Sequence, residues 1–191
     1  MRSPNMFFND SGFGNFESSI IYKLLKSVDI NFSNCLNTVP FSTCDCYIIH
    51  TDTNPMCCDM NNSHKILLSA KDNYWCQWIY QFSHEYCHHL INGRLNGNIT
   101  GLKWFEEMIC ELSSMYNLYL VYKSYFHSNE PIENRYAHSV QDYLHDLLKN
   151  CHTYYRGYIQ DSSIFLNQPV YHRDCYNVIA GAMLHLFVEY P

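Results

Sequence analysis

Residues 73–91, NYWCQWIYQFSHEYCHHLI, constrain this chain more than any other stretch. Trp75, Trp78, Ile79, Phe82, Tyr86 and Leu90 recur at the i, i+3, i+4 spacing of an amphipathic helix. Asp72 or Asn73 can cap its start, and Asn92-Gly93 supplies the expected stop. Around this helix the rest of the chain falls into order. KILLSA (65–70) reads as a strand directly before it, and CYIIH (46–50) as an earlier short buried strand. The intervening TDTNPMCCDMNNSH (51–64) is loop by composition. Upstream, Ile20, Ile21, Leu24, Leu25 and Val28 predict a helix over 16–28, with a turn-rich stretch from there to Asp45.

Downstream, a loop with Gly93, Gly97 and Gly101 leads to a helix over 103–126 carrying Phe105, Met108, Ile109, Leu112, Met115 and Tyr119. Pro131 interrupts. Ala137, Val140, Leu144, Leu147, Leu148 and Cys151 predict a helix over 135–151. A loop, YYRGYIQDSSIFLNQP (154–169), precedes a last helix over 173–189. Strands early and helices late make an α+β layout. With no internal repeat and no long linker, one domain over 1–191 is the simplest organisation, residues 1–15 being a flexible lead-in.

Composition removes several function classes. At 47% hydrophobic and 16% charged residues the chain can build a packed core. A net charge of −6, with no run of Lys or Arg, argues against phosphate neutralisation and hence against nucleic acid as a partner. The seventeen tyrosines therefore read as core and surface residues rather than a base-stacking platform. No stretch approaches the roughly 18 to 20 apolar residues of a membrane span, so no membrane partner is expected. The opening MRSPNMFFNDSGFGNFESS breaks before an apolar signal core can form, which favours the cytoplasm and leaves secretion open. Of the ten cysteines, Cys76, Cys87 and Cys110 lie in helical patterns and read as small buried hydrophobes. Cys44, Cys46, Cys57 and Cys58 form a denser group without a C-x-x-C; separate reduced thiols are favoured there over a metal or disulfide cluster.

The chemistry sits on the helix already described. Side chains four apart on a helix lie on one face about 6 Å apart, so His84 and His88 can direct their imidazoles at one metal ion, for which neutral imidazole is a good ligand. Glu85, rotated by about 100° from His84, lies beside the ligands and can meet a water on the metal without ligating it. Two ligands hold zinc poorly; a catalytic site takes a third and leaves a position for water. Glu107, separated from His88 by eighteen residues, offers that third ligand. Glu106 competes but points about 100° away. Glu111, one turn on, suits a hydrogen bond to the non-ligating nitrogen of His84 or His88.

His84-Glu85-Tyr86-Cys87-His88, eighteen residues, then Glu107 within Trp104-Phe105-Glu106-Glu107 resembles the pattern of the gluzincin metallopeptidases, and the spacing is most similar to the aminopeptidase type. Where that type carries an N-E-G-F-A-like segment, this chain has E-E-M-I-C, with Glu106 for Asn and Met108 for Gly. The resemblance covers about 30 residues closely and about 120 loosely. It implies a small zincin-like domain, a Zn²⁺ site of His84, His88 and Glu107, and Glu85 as the general base that takes a proton from a zinc-activated water and delivers it to the leaving amine. It implies a peptide or protein substrate, laid along the strand at 66–70 as along a sheet edge. It also implies a Tyr or His that stabilises the oxyanion, for which His172 is the first choice, Tyr171 the second and Tyr176 the third, with Asp174 able to orient the histidine. Asp10 is the candidate for a latency ligand reaching the zinc from outside.

Blander readings stand beside these. His89 reads as a solvated neighbour, Cys87 as core, and Trp75, Trp78 and Phe82 as core rather than a cofactor box. His50, His64, His127, His138, His145, His152 and His185 show no ligand pairing. The acidic run on the second helix is by itself an ordinary helix N-terminus. An endopeptidase is favoured over an aminopeptidase, since no G-x-M-E-N-like segment precedes the helix. The alternative is a zinc-stabilised binding or regulatory module with a degenerate or latent site.

Overall fold

The computed structural model describes residues 5–35, 44–93, 103–159 and 173–190. It is mixed α and β, and its contacts cluster into two compact units, 1–98 and 99–191.

The first unit holds β1 (Met6–Phe8), α1 (Ser18–Cys35), β2 (Asp45–His50), β3 (Met56–Met60), β4 (Ser63–Leu68) and α2 (Trp75–Asn92). The strands form one sheet in the order β1-β2-β4-β3. β1, β2 and β4 run parallel, and β3 returns antiparallel to β4. Cys46, His64 and Asp59 share one row of the register, and Ile48, Ile66 and Cys57 share the next. The alternation of buried Cys46, Ile48, His64, Ile66 and Leu68 turns one face inward, where α2 packs against β4 and β3, and α1 against α2. Ile21, Leu24, Leu25 and Val28 are the buried stripe of α1. Trp78 is fully buried, ringed by Phe8, Phe13 and Phe16, and its indole N–H donates to the Asp72 carbonyl at 3.0 Å.

Several expectations change here. The strand over 65–70 is not a sheet edge: β4 has β2 on one side and β3 on the other, so its backbone groups are used in both directions. The stretch 51–64 is not all loop, because β3 lies within it and reverses at Asn61-Asn62, where Asn62 takes φ +68°. Helix α1 continues to Cys35, past the predicted end at 28; Asp29 accepts from both Lys26 and Tyr86, and Phe32 stacks edge-on to Tyr86 at 5.7 Å. Neither Asp72 nor Asn73 caps α2, whose N-cap is Tyr74 with no side-chain bond. Their carboxylate and amide oxygens accept instead from the backbone N–H groups of Asn15 and Glu17, at 2.6 and 3.5 Å. This ties the N-terminal segment to the turn before α2, and only glycine fits opposite: at Gly14 (φ +87°) a Cβ would fall 2.3 Å from the Asp72 carboxylate. β1 and the fully buried Phe13 hold the rest of that segment. Gly93 closes α2 in a right-handed conformation, its N–H bonded to the His89 carbonyl at 3.0 Å.

The second unit holds α3 (Lys103–Phe126), α4 (Pro131–Ile159) and α5 (Arg173–Glu189), each packed on the other two. Met108, Cys110, Leu112, Met115, Leu118 and Val121 are the core of α3, whereas Phe105, expected inside, is exposed. Pro131 lies at the break after α3, as expected, and itself opens α4 ahead of the predicted start at 135, since a first-turn proline sacrifices no helix hydrogen bond. α4 also runs on to Ile159, beyond the predicted 151 and into the expected loop. None of the helices among the described residues is long and apolar enough to cross a membrane.

Candidate metal centre

His84, Glu85, His88 and His89 all lie in the last three turns of α2, held in place by the Trp78–Phe82–Tyr86 side of the helix in the core. His84 and Glu85 are buried, at 7% and 6% exposure, and His88 is half-buried. The His84 and His88 rings lie one above the other as the i, i+4 spacing requires, with centroids 5.0 Å apart and planes at 62°. With Cys110 they form a group whose ligand atoms all lie within 4.8 Å of one another and which could hold a metal ion. Two imidazoles and a thiol are a donor set suited to a borderline-soft divalent ion such as zinc.

On α3, Glu107 and Glu111 are buried, at 8% and 0% exposure, and Glu106 is half-buried. Four residues apart, Glu107 and Glu111 share the buried side of that helix with Cys110. Tyr176 is buried in α5. Asp174 is in the first turn of the same helix, while His172 and Tyr171 lie outside the described residues. Asp10 is exposed just after β1, the strand at the opposite edge of the sheet from β3.

Two features escaped the sequence reading. His89 is not solvated: it is fully buried, and its Nδ1 lies 2.7 Å from Nδ1 of His64 on β4. Burial, then the neighbouring His64, push the His89 imidazole down to about 4, so it is neutral at ordinary pH. His64 in turn lies 3.3 Å through Nε2 from the Asp59 carboxylate on β3. The only trace of this pairing in the sequence is the doubled histidine, whose second member falls one residue past the metal-ligand spacing and back toward the sheet.

The second feature is Cys57 on β3, directly beside Ile66 in the buried-face row of the register. Burial raises its thiol well above the usual range, and the Glu85 carboxylate raises it further. Cys46, buried one strand beyond β4, is pushed up to about 12 by burial and then by Asp29. No two cysteines are joined among the described residues.

No family model matches the chain, and neither does any curated protein or solved structure.

Proposed function

We propose that this chain is a zinc-dependent peptidase of small zincin-like architecture, cutting peptide bonds with Glu85 as general base. The observation that carries the reading is the motif helix itself: two imidazoles with centroids 5.0 Å apart at i, i+4 and a buried carboxylate between them in sequence. A buried carboxylate is costly to take out of water, and a helix that buries His84, Glu85 and part of His88 together has the composition expected of a site rather than of a core.

A bound zinc ion would polarise the scissile carbonyl and bring a water's pKa to about 7. His84 and His88 supply two ligands. The third comes from α3, where Glu107 matches the gluzincin spacing and Cys110 is the donor grouped with the imidazoles. Glu85 receives the proton of the attacking water and returns it to the departing amine. Glu111 orients a ligating histidine. His172 or Tyr171 stabilises the oxyanion.

The substrate is an extended peptide. With β4 internal, the strand that can accept it is β3, which pairs with no second strand among the described residues and packs beside α2. Cys57 on that strand is close enough for Glu85 to bear on its thiol. Endopeptidase activity is favoured over removal of N-terminal residues.

The His-His-Cys donor set favours one second reading, a zinc-stabilised binding module in which Cys110 ligates together with Glu107, so that four protein donors leave no place for water. Glu85→Gln separates the two. A peptidase loses cleavage of a peptide library while keeping its zinc; a binding module cleaves nothing before or after the change.

A further inference from the structure

Gln81, Glu85 and His89 follow one another at four-residue intervals, so they climb one side of α2 with Glu85 in the middle. The two outer residues are both tied to β4 or to the turn that follows it. Gln81 Oε1 accepts the backbone N–H groups of Ser69 and Ala70 at 3.0 and 2.9 Å, and its Nε2 donates to Ser69 Oγ at 3.2 Å. Eight residues on, His89 Nδ1 meets His64 Nδ1 at 2.7 Å, and His64 reaches Asp59 on β3. The helix is thereby fastened to the sheet one turn before Glu85 and one turn after it.

Packing of Trp78, Phe82 and Tyr86 would hold the helix near the sheet without these bonds, but apolar contacts tolerate sliding and rotation that hydrogen bonds do not. The two straps differ in kind as well as place. Gln81 grips backbone N–H groups that the end of β4 leaves without a partner strand, and so fixes height along the strand. His89 grips a side chain anchored on two strands, and so fixes rotation.

We propose that Gln81 and the Asp59–His64–His89 chain form a two-point clamp that positions Glu85 against the edge of the sheet. Gln81, His64 and His89 are then positioning residues, acting on the reaction only through Glu85. The inference rests on the peptidase reading for its catalytic consequence, but not for the clamp itself.

The test uses the full zinc-loaded chain and the variants Gln81→Met, Gln81→Glu, His64→Leu and Glu85→Gln. Four quantities are read on each: zinc content, kcat and KM on a peptide cleaved by the parent, and the alkylation rate of Cys57 followed by mass spectrometry. Gln81→Met should lower kcat by about tenfold or more with KM and zinc unchanged, since a misplacement of about 1 Å costs on that scale. Gln81→Glu keeps an oxygen that can accept both backbone N–H groups and should recover most of the loss. Gln81→Met and His64→Leu should each speed Cys57 alkylation in the direction of Glu85→Gln, and should add nothing in the Glu85→Gln background. If the parent cleaves and Gln81→Met retains kcat and the parent's Cys57 rate, the clamp is refuted while the peptidase reading stands. If the parent cleaves nothing, the peptidase reading falls and the Cys57 rates alone decide the clamp: faster in both variants supports it, unchanged overturns it. Should His64→Leu fail to fold, the Gln81 pair decides.

Discussion

His64 on β4 and His89 on α2 face each other through their Nδ1 atoms at 2.7 Å, both buried, and so join the sheet to the helix that carries the candidate metal ligands. One of the two nitrogens must carry the shared proton, and with Asp59 3.3 Å from the far nitrogen of His64, that ring has a partner on each side.

Removing one ring should therefore cost more than its packing. His64→Ala leaves His89 Nδ1 buried without its partner, and the expected loss is about 2–3 kcal/mol in urea unfolding. A loss below about 0.5 kcal/mol would mean that the pair adds nothing beyond what water supplies.

The aromatic core around Trp78 is the strongest purely structural element of the first unit. Trp78→Ala removes a side chain packed on Phe8, Phe13 and Phe16 and breaks the bond to the Asp72 carbonyl. It should destabilise by about 3–5 kcal/mol or prevent folding. Trp78→Phe, which keeps a ring but no donor, should retain the fold at a smaller cost, read from the shift of the unfolding midpoint.

Tyr86 donates to the Asp29 carboxylate at 2.7 Å across the α1–α2 contact. Tyr86→Phe should cost about 1.5–3 kcal/mol, the range for a hydrogen bond to a charged acceptor. The residue follows Glu85 directly yet takes no part in the proposed chemistry, so zinc content should be unchanged. Loss of zinc in Tyr86→Phe would show that the α1 contact sets the ligand geometry.

Alkali should weaken the fold before it damages the chain. Burial raises the Cys46 thiol from 9.0 to about 12, and the Cys151 thiol from 9.0 to about 11. A raised thiol pKa means that the folded state keeps a proton which the unfolded chain releases, so stability is intact below pH 9 and falls as pH rises through the window up to the folded values. The slope is about 1.4 kcal/mol per pH unit for each such thiol. Urea midpoints measured from pH 8 to pH 10.5 should decline from about pH 9, and Cys46→Ala should flatten the decline.

What was legible in the sequence divides along physical lines. Helix α2 was readable because its apolar stripe alone dictates the period, and with it came His84, Glu85 and His88. The helical cores of α1 and α3 followed for the same reason. β3 was not readable, since Met56-Cys57-Cys58-Asp59-Met60 has no clear alternation and becomes a strand only by pairing with β4. With β3 unread, nothing in the sequence spoke against the edge position that the resemblance implied for β4. The start of α2 was misread because Asp72 and Asn73 have a competing use 57 and 56 residues away in the chain, whereas Gly93 is the stop expected of it. The burial of His89, and the influence of the Glu85 carboxylate on the Cys57 thiol, are tertiary effects with no local signature.

The choice between Glu107 and Cys110 as third ligand is open to spectroscopy. Cobalt(II) substituted for zinc gives an intense near-ultraviolet charge-transfer band when a thiolate binds, and none from carboxylate and imidazole. With Glu107 as ligand the band is absent, and Glu107→Ala abolishes binding while Cys110→Ser does not. A band lost in Cys110→Ser makes Cys110 a ligand, and if Glu107→Ala weakens binding as well, four protein donors favour the binding-module reading.

The most direct measurement is metal content by mass spectrometry on protein purified without a metal-affinity tag, for the parent chain and for His84→Ala and His88→Ala. The account predicts one zinc per chain, lost in both variants while Glu85→Gln keeps it. A metal-free parent that neither takes up added zinc nor changes its unfolding midpoint in the presence of a chelator would contradict it, leaving HEYCHH as a buried helix without a metal.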